Sequence, residues 1–165
     1  MIIFLDFDGV LHPISRANRE RVLFSQEEHL ARVLRDFPPV EIVISSAWRQ
    51  DYSLKAIQAI FRTDLRNRIV GMTPIFEIRD AGDVAGSRYR EIQAYLAGSI
   101  ANWLALDDDA SLFPAGCAEL VLCEDGFQDA EERALRDLLL HMPDEPPSST
   151  QGSPKVGILP TRSVD

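Results

Sequence analysis

Two aspartates separated by one residue, Asp6 and Asp8, follow the first apolar run of the chain. Residues 2–5 are all large and apolar, which is typical of a strand buried on both faces. Because side chains at positions i and i+2 of an extended chain point the same way, both carboxylates are expected at one spot beyond the strand. Such crowded charges require a cation, a proton or hydrogen bonds. The alternative is a plain turn at Gly9 that uses aspartate for its local hydrogen bonds, but the apolar run, the paired acids and the glycine together favour a functional site.

A second predicted strand, residues 40–44, is apolar except for Glu41 and is followed by Ser45 and Ser46. A small hydroxyl beside exposed backbone N–H groups suits a phosphate oxygen. Taken alone, a serine after a strand is more often an ordinary turn residue. The pattern therefore predicts a phosphate-binding hydroxyl only in the context of the other strand ends, and either serine could supply it.

Three aspartates, Asp107, Asp108 and Asp109, follow the apolar run 103–106. Surface acidic clusters are usually solvated, but at the end of a buried strand like charges ~4 Å apart repel by ~4 kcal/mol at intermediate dielectric. A hard divalent cation would relieve this repulsion, and Mg²⁺ prefers carboxylate oxygens and water. We therefore predict a Mg²⁺ site in which Asp107 and Asp108 form one acidic floor with Asp6.

A cation is expected near the same place. Arg88 lies at the predicted start of a helix over residues 88–96, with Ser87 as its N-cap. The helix dipole disfavours a positive charge there by roughly a few tenths of a kcal/mol, and a bound anion would reverse that balance. Arg90 fits the same role almost as well, and an exposed arginine without a ligand is the alternative.

Helical and strand patterns alternate along the chain, which argues for a parallel sheet with helices on both faces. All strands of such a sheet end at the same edge, so the polar residues that follow them can converge. A capping box starting at Ser25 opens the first helix. The fold predicted is α/β, a three-layer Rossmann-like parallel sheet of about five strands. The strands are predicted at residues 1–5, 40–44, 69–72, 103–106 and 120–122, and the helices at 30–37, 54–61, 88–96 and 129–142.

Composition bounds the function. The 165 residues are enough for one domain with a sizeable core and too few for two ordinary ones. We assign residues 1–142 to this domain and predict a flexible tail for the Pro- and Ser-rich segment 143–165. The net charge of −9 argues against broad nucleic-acid binding, which needs a basic surface.

The cysteines and the N-terminus carry no targeting or metal signal. Cys117 and Cys123 match no zinc spacing and are interpreted as core thiols. No apolar run is long enough to span a membrane, and no basic region precedes the N-terminal apolar run. We therefore expect a cytoplasmic protein with no membrane partner.

Residues 6–11, with the sequence DFDGVL, resemble the opening DxDG(V/T)L signature of the haloacid dehalogenase-like superfamily, whose members are mostly phosphatases. The serines after the second strand resemble its second motif, Arg88 its third, and the acidic pair at 107–108 its fourth, metal-binding motif. Trp48 and Arg49 are similar to a branch found as small stand-alone domains and in RNA-repair proteins.

The resemblance implies a phosphatase-like hydrolase with Mg²⁺ as cofactor. It implies that Asp6 is the nucleophile and forms an aspartyl-phosphate, and that Asp8 is the general acid and base. Ser45, or Ser46 in its place, and Arg88 would hold the phosphoryl oxygens. The Mg²⁺ ligands implied are Asp6, the backbone carbonyl of Asp8, and Asp107 or Asp108.

The substrate is left open by the sequence. The intervals in which superfamily members carry cap domains, residues 12–39 and 50–87, hold little beyond core elements, so no large cap domain is expected. An open site suits the phosphorylated end of a nucleic acid, a phosphoprotein or a small phosphoester. Several arginines could line its mouth or be solvated charges of a flap: Arg16, Arg19, Arg21 and Arg49.

Two other functions fit parts of the pattern. A receiver domain also gathers acids, a hydroxyl and a lysine at the carboxyl ends of a parallel sheet, but its phospho-acceptor lies later in the chain than Asp6. A non-catalytic interaction domain could keep the same fold. The intact pair of Asp6 and Asp8 argues against that second alternative.

Overall fold

The computed structural model describes residues 1–14, 22–99 and 101–142. The predicted tail 143–165 lies outside these ranges, as do three arginines that could line the mouth of the site or be solvated charges of a flap, Arg16, Arg19 and Arg21. Both the tail and the role of these arginines therefore stay predictions. Within the described ranges, no helix combines the length and the apolar character needed to cross a membrane.

In chain order the elements are β1 (Ile2–Leu5), α1 (Glu27–Asp36), β2 (Glu41–Ile44), α2 (Leu54–Ile60), α3 (Thr63–Arg66), β3 (Ile69–Met72), α4 (Ala81–Val84), α5 (Ser87–Leu96), β4 (Trp103–Asp107), β5 (Leu120–Leu122) and α6 (Asp129–His141). The strands form one parallel sheet of five, in the order β3-β2-β1-β4-β5. This confirms the predicted parallel α/β sheet. Short 3₁₀ turns, Ala47–Gln50 and Ala110–Leu112, follow β2 and β4.

Helices cover both faces of the sheet. Ile3 and Leu5 of β1 pack in the core cluster that contains Leu30 of α1 and Leu135 of α6. Phe4 points to the opposite face, where it belongs to a second cluster with Ile92 of α5. Alternate residues of one strand are thus buried in two different layers, which is why the strand is apolar throughout. The three-layer arrangement is confirmed, and the described residues include no separate cap domain.

The register of the three central strands brings their polar ends to one level. Leu5 of β1 is paired with Ile44 of β2 and with Leu106 of β4. The next residue along each of these chain segments is polar and buried: Asp6, Ser45 and Asp107. Since β1 lies between β2 and β4, the side chains that follow these strands meet at the carboxyl edge of the sheet.

The predicted helix starts need two corrections. Helix α1 begins at Glu27 with Gln26 as N-cap and without a side-chain capping bond, so the capping box predicted from Ser25 is wrong. The Gln26 side chain instead accepts a hydrogen bond from Phe127 N at 3.0 Å, a tertiary contact that local sequence does not reveal. Ser87, predicted as an N-cap, is the first residue of α5.

The two cysteines are free thiols in different environments. Cys123 is fully buried in the larger core cluster, as predicted. Cys117 is only half-buried, and its Sγ donates to Glu119 Oε2 at 3.4 Å. Burial raises the pKa of both thiols, so neither is an activated nucleophile.

Candidate active site

Three carboxylates converge at the ends of β1 and β4. Asp6, Asp107 and Asp108, which we call the strand-end cluster, each present an oxygen within 4.8 Å of the others. Asp6 is only 6% exposed and Asp107 only 1%. The sheet register accounts for this convergence, and the acidic floor predicted from the sequence is present.

Gly9 permits the close approach of Asp108. It lies in the turn after β1 with a φ of 80°, a conformation that favours glycine. A Cβ atom at this position would also collide with the Asp108 carboxylate. Two separate structural features therefore favour glycine at position 9: the positive φ and the close approach of the Asp108 side chain.

Burial changes the protonation of the strand-end cluster. Desolvation, together with the negative charge of Asp107, raises the pKa of Asp6 from 3.8 to about 7. Desolvation likewise raises the pKa of Asp107 to about 6, with a further contribution from Asp108. These carboxylates ionise reluctantly because they are dry and close to one another.

Arg88 is the cation of this site. Its Nε donates to Asp107 Oδ2 at 3.0 Å, and its Nη2 donates to Asp6 Oδ1 at 3.4 Å. Arg90 points elsewhere: it is exposed and donates to the backbone carbonyls of Ala85 and Asp83. Of the two arginines left open by the sequence, the structure brings only Arg88 to the acids.

The composition of the strand-end cluster fits a hard divalent cation. Arg88 opposes the rise in the pKa of Asp6 and Asp107, yet both pKa values remain high. A single guanidinium therefore does not compensate the buried carboxylates. Three carboxylate oxygens within reach of one point are the donors that Mg²⁺ prefers.

Both candidate serines are buried beside Asp6. The Ser46 hydroxyl hydrogen-bonds to Asp6 and thereby favours its ionised form. The same oxygen accepts from Trp48 N at 3.5 Å. Ser45 follows β2 in register with Asp6, and its N–H donates to Leu5 O at 3.0 Å. Ser46 is thus the serine in direct contact with the predicted nucleophile.

Asp8 lies beside the strand-end cluster rather than within it. Burial raises the pKa of Asp108, and the negative charges of Asp109 and Asp8 raise it further. Asp8 Oδ2 accepts from Trp48 Nε1 at 2.8 Å, and Asp8 Oδ1 lies 3.2 Å from His12 Nε2. Phe24 N donates to His12 Nδ1 at 3.5 Å, which leaves Nε2 as the nitrogen that donates to Asp8. Among the described residues, Trp48 therefore donates to one oxygen of this carboxylate and His12 to the other.

Several residues around the site were missed or misread in the sequence. The sequence indicates Trp48 only through the family resemblance, and it predicts no role for His12. Arg49 is predicted either to line an open mouth or to be a solvated charge of a flap, and both interpretations are wrong because it is buried. It pairs with Glu91 at 2.5 Å, and Glu91 lies 3.8 Å from Arg88. The i,i+3 spacing of Glu91 and Arg88 on one helix was an available signal.

A cavity of about 410 Å³ opens next to the strand-end cluster. Its lining comes from Gly9, Pro13, Ile14, Asp108, Glu124 and Asp125. Asp108 is thus the member of the strand-end cluster that lines this cavity.

A second group of possible metal ligands lies on the surface between α1 and α6. His29, Asp129 and Glu132, which we call the helix cluster, also bring their ligand atoms within 4.8 Å of one another. Arg32 Nη2 lies among them, 2.6 Å from Glu132 Oε2 and 2.7 Å from His29 Nδ1. A guanidinium already fills the position in which a metal ion would bind.

Comparison with known proteins connects this geometry to a family. The family model described as "HAD domain in Swiss Army Knife RNA repair proteins" matches residues 2–131, which include every residue of the predicted site. No curated protein matches the chain. The haloacid dehalogenase-like resemblance seen in the motifs is confirmed, and the chain belongs to the family of HAD domains found in Swiss Army Knife RNA repair proteins.

Proposed function

We propose that this HAD-type, phosphatase-like hydrolase domain is a Mg²⁺-dependent phosphoester hydrolase that acts through an aspartyl-phosphate on Asp6. The observation that carries the proposal is the buried bridge from Arg88 to Asp6 and Asp107. A guanidinium between a carboxylate nucleophile and a metal-type carboxylate is well positioned to bind a phosphoryl oxygen.

The first half of the reaction forms the phospho-enzyme. An Asp6 oxygen attacks phosphorus in line with the leaving oxygen, so a P–O bond to Asp6 forms as the P–O bond to the leaving group breaks. Asp8 donates its proton to the leaving oxygen. The attack requires ionised Asp6, and the hydrogen bonds from Arg88 and Ser46 favour that form against the effect of burial.

The second half regenerates the enzyme. Asp8, now ionised, accepts a proton from a water molecule whose oxygen attacks phosphorus, and the bond from phosphorus to Asp6 breaks. Trp48 and His12 hold the Asp8 carboxylate through one oxygen each, which limits its rotation between the two steps.

The phosphoryl group would be held by Arg88 and by the serines after β2, with Ser46 closest to the nucleophile. A Mg²⁺ ion would be held by the carboxylates of Asp6, Asp107 and Asp108 and by the backbone carbonyl of Asp8. Its positive charge would offset the negative charges of the nucleophile and the phosphate.

For the substrate we propose first the phosphorylated end of a nucleic acid. The description of the matching family names RNA repair, and the absence of a separate cap domain among the described residues is compatible with a macromolecular substrate. The net charge of −9 predicts that such a substrate is bound locally at its end rather than along its length. Phosphoproteins and small phosphoesters are the competing classes.

The test is phosphate release from a panel containing 5′- and 3′-phosphorylated oligonucleotides, a phosphopeptide and small phosphoesters, with Mg²⁺ or with chelator. We expect Mg²⁺-dependent release, fastest from an oligonucleotide end. Asp6→Asn is the control for contaminating phosphatases. Absence of release from every substrate in Mg²⁺ would contradict the proposal, whereas preference for the peptide would redirect only the substrate class.

Rapid-quench detection of phospho-enzyme separates a hydrolase from a receiver-like phospho-acceptor. Asp8→Asn is expected to slow both formation and hydrolysis of the aspartyl-phosphate, by roughly 10²–10⁴-fold for a lost general acid and base. A nitrophenyl ester needs little protonation on departure, so its first step should suffer less and phospho-enzyme should accumulate. Wild-type protein that holds phosphate for minutes would favour the receiver-like function.

A further inference from the structure

We infer that Arg49 is a positioning residue for phosphate binding: it orients the peptide units after β2 and holds Arg88 in place through Glu91. The inference rests on the proposed function, because it assigns to the same site a residue outside the reacting groups. Among the described residues, the hydrogen bonds of Arg49 go to Ser45, Ser46 and Glu91 and not to the carboxylates of the strand-end cluster.

The contacts of Arg49 are almost all with parts of the site. Its side chain is only 3% exposed. Nη1 donates to the carbonyl oxygens of Ser45 and Ser46, the latter at 2.7 Å. Nη2 donates to Glu91 Oε2 at 2.5 Å. A buried guanidinium is costly to desolvate, and here hydrogen bonds to two consecutive peptide carbonyls and one carboxylate offset that cost.

Fixing these carbonyls also fixes the N–H groups on the other side of each peptide plane. In a trans peptide, C=O and N–H point in opposite directions. The carbonyl of Ser45 shares its peptide plane with the N–H of Ser46. Because Arg49 donates to this carbonyl, that N–H points away from Arg49. Ser46 is fully buried, and its N–H donates to no backbone carbonyl among the described residues. Because buried N–H groups are nearly always paired, this donor is available to an anion oxygen.

Glu91 connects Arg49 to Arg88. Its Oε2 accepts from Arg49 and lies 3.8 Å from Arg88 Nη1. The carboxylate thus separates two like charges that would otherwise repel inside the protein. Without Arg49, Glu91 would be free to pair more closely with Arg88 and draw it away from Asp6. Loss of Arg49 should therefore weaken anion binding twice, through the Ser46 amide and through Arg88.

The test is direct binding of inorganic phosphate in the presence of Mg²⁺, measured by calorimetry for wild type, Arg49→Lys and Arg90→Lys. Arg90 is the matched control because it also donates to two backbone carbonyls, on α4 and the loop after it, but outside the site. Arg49→Lys keeps the charge and loses the planar fork, so we expect phosphate affinity to fall about tenfold or more. Arg90→Lys should bind phosphate like wild type.

A backbone readout distinguishes positioning from general support of the fold. The ¹H–¹⁵N signal of Ser46 is expected to shift on phosphate addition in wild type and Arg90→Lys, and to shift much less in Arg49→Lys. Equal phosphate affinity and equal Ser46 shifts in the two variants would overturn the inference, as would absence of phosphate binding to wild type. Phosphate binding without hydrolysis of any ester would overturn the proposed function and leave the inference standing.

If Arg49→Lys does not fold, the paired variant R49M/E91M keeps the inference testable. It removes both buried charges, a change that proteins often tolerate because no charge is left uncompensated. Wild-type phosphate affinity in this variant would also overturn the role of Arg49.

Discussion

Two clusters of this molecule bring three possible metal ligands within 4.8 Å of one another, and each is contacted by an arginine. The strand-end cluster lies at the carboxyl ends of β1 and β4 and is largely buried, whereas the helix cluster lies on the surface between α1 and α6. Spacing alone therefore does not separate a candidate catalytic centre from a surface ion-pair network.

The net pKa shifts of the carboxyl groups in the two clusters have opposite signs. Burial raises the pKa of Asp6 and Asp107, and Arg88 does not bring the values back. Burial also raises the pKa of Glu132, but hydrogen bonds from Arg32, His29 and Arg136 outweigh it, and the net shift is downward. The helix cluster is already compensated, while the strand-end cluster still favours a further positive charge.

The largest expected difference between the clusters is in turnover. Asp6→Asn removes the predicted nucleophile and should abolish phosphoester hydrolysis while leaving the fold intact. Glu132→Gln removes a carboxylate from the helix cluster and should leave kcat within about twofold of wild type. Steady-state kinetics of both variants make the comparison. Substantial hydrolysis by pure Asp6→Asn protein would contradict the assignment of Asp6 as the nucleophile.

The second difference is in Mg²⁺ affinity. Asp107→Ala and Asp108→Ala each remove a predicted ligand, and at least one should weaken Mg²⁺ binding by about tenfold or more. Asp129→Ala, in the helix cluster, should not change it. Mg²⁺ titrations followed by calorimetry and by activity provide both numbers. Full activity in excess chelator would remove Mg²⁺ from the mechanism.

The third difference is in how stability depends on pH without metal. The folded protein holds the Asp6 proton up to a pKa of about 7, against 3.8 for the ordinary group, so ionising this carboxyl destabilises the fold. Stability of wild type relative to Asp6→Asn should therefore fall as pH rises from 4 towards 8, by on the order of a few kcal/mol. Chemical denaturation in chelator at several pH values measures it, and a pH-independent difference would refute the burial argument.

The smallest effect is expected for the ion pairs of the helix cluster. Arg32→Ala removes the guanidinium from between His29 and Glu132, but these groups are partly solvated. The melting temperature should drop slightly at low salt, and the drop should vanish in molar NaCl because exposed charges are screened. A large decrease that persists in high salt would mean that the two clusters are more alike than their burial indicates.

Much of the fold could be predicted from the sequence because its strongest signals are local. The strands β1, β2 and β4 are buried on both faces apart from their first residues, so each contains a short apolar run that ends abruptly in polar residues. Alternation of such runs with helical periodicity predicts a parallel sheet, and a parallel sheet brings its carboxyl ends together. Asp6, Ser45 and Asp107 could be grouped on this basis alone.

Only the tertiary structure decided which of several equivalent side chains face the site. Arg88 and Arg90 are two residues apart on one helix, and their local sequence is equally suitable. They differ because α5 packs so that Arg88 faces the strand-end cluster and Arg90 faces α4. Sequence patterns assign no buried partner to an arginine after a strand and therefore predict an exposed Arg49, yet Glu91 and two backbone carbonyls hold it inside. Burial and partners of a charged side chain depend on elements distant in sequence, whereas the apolar character of a strand is visible in the strand itself.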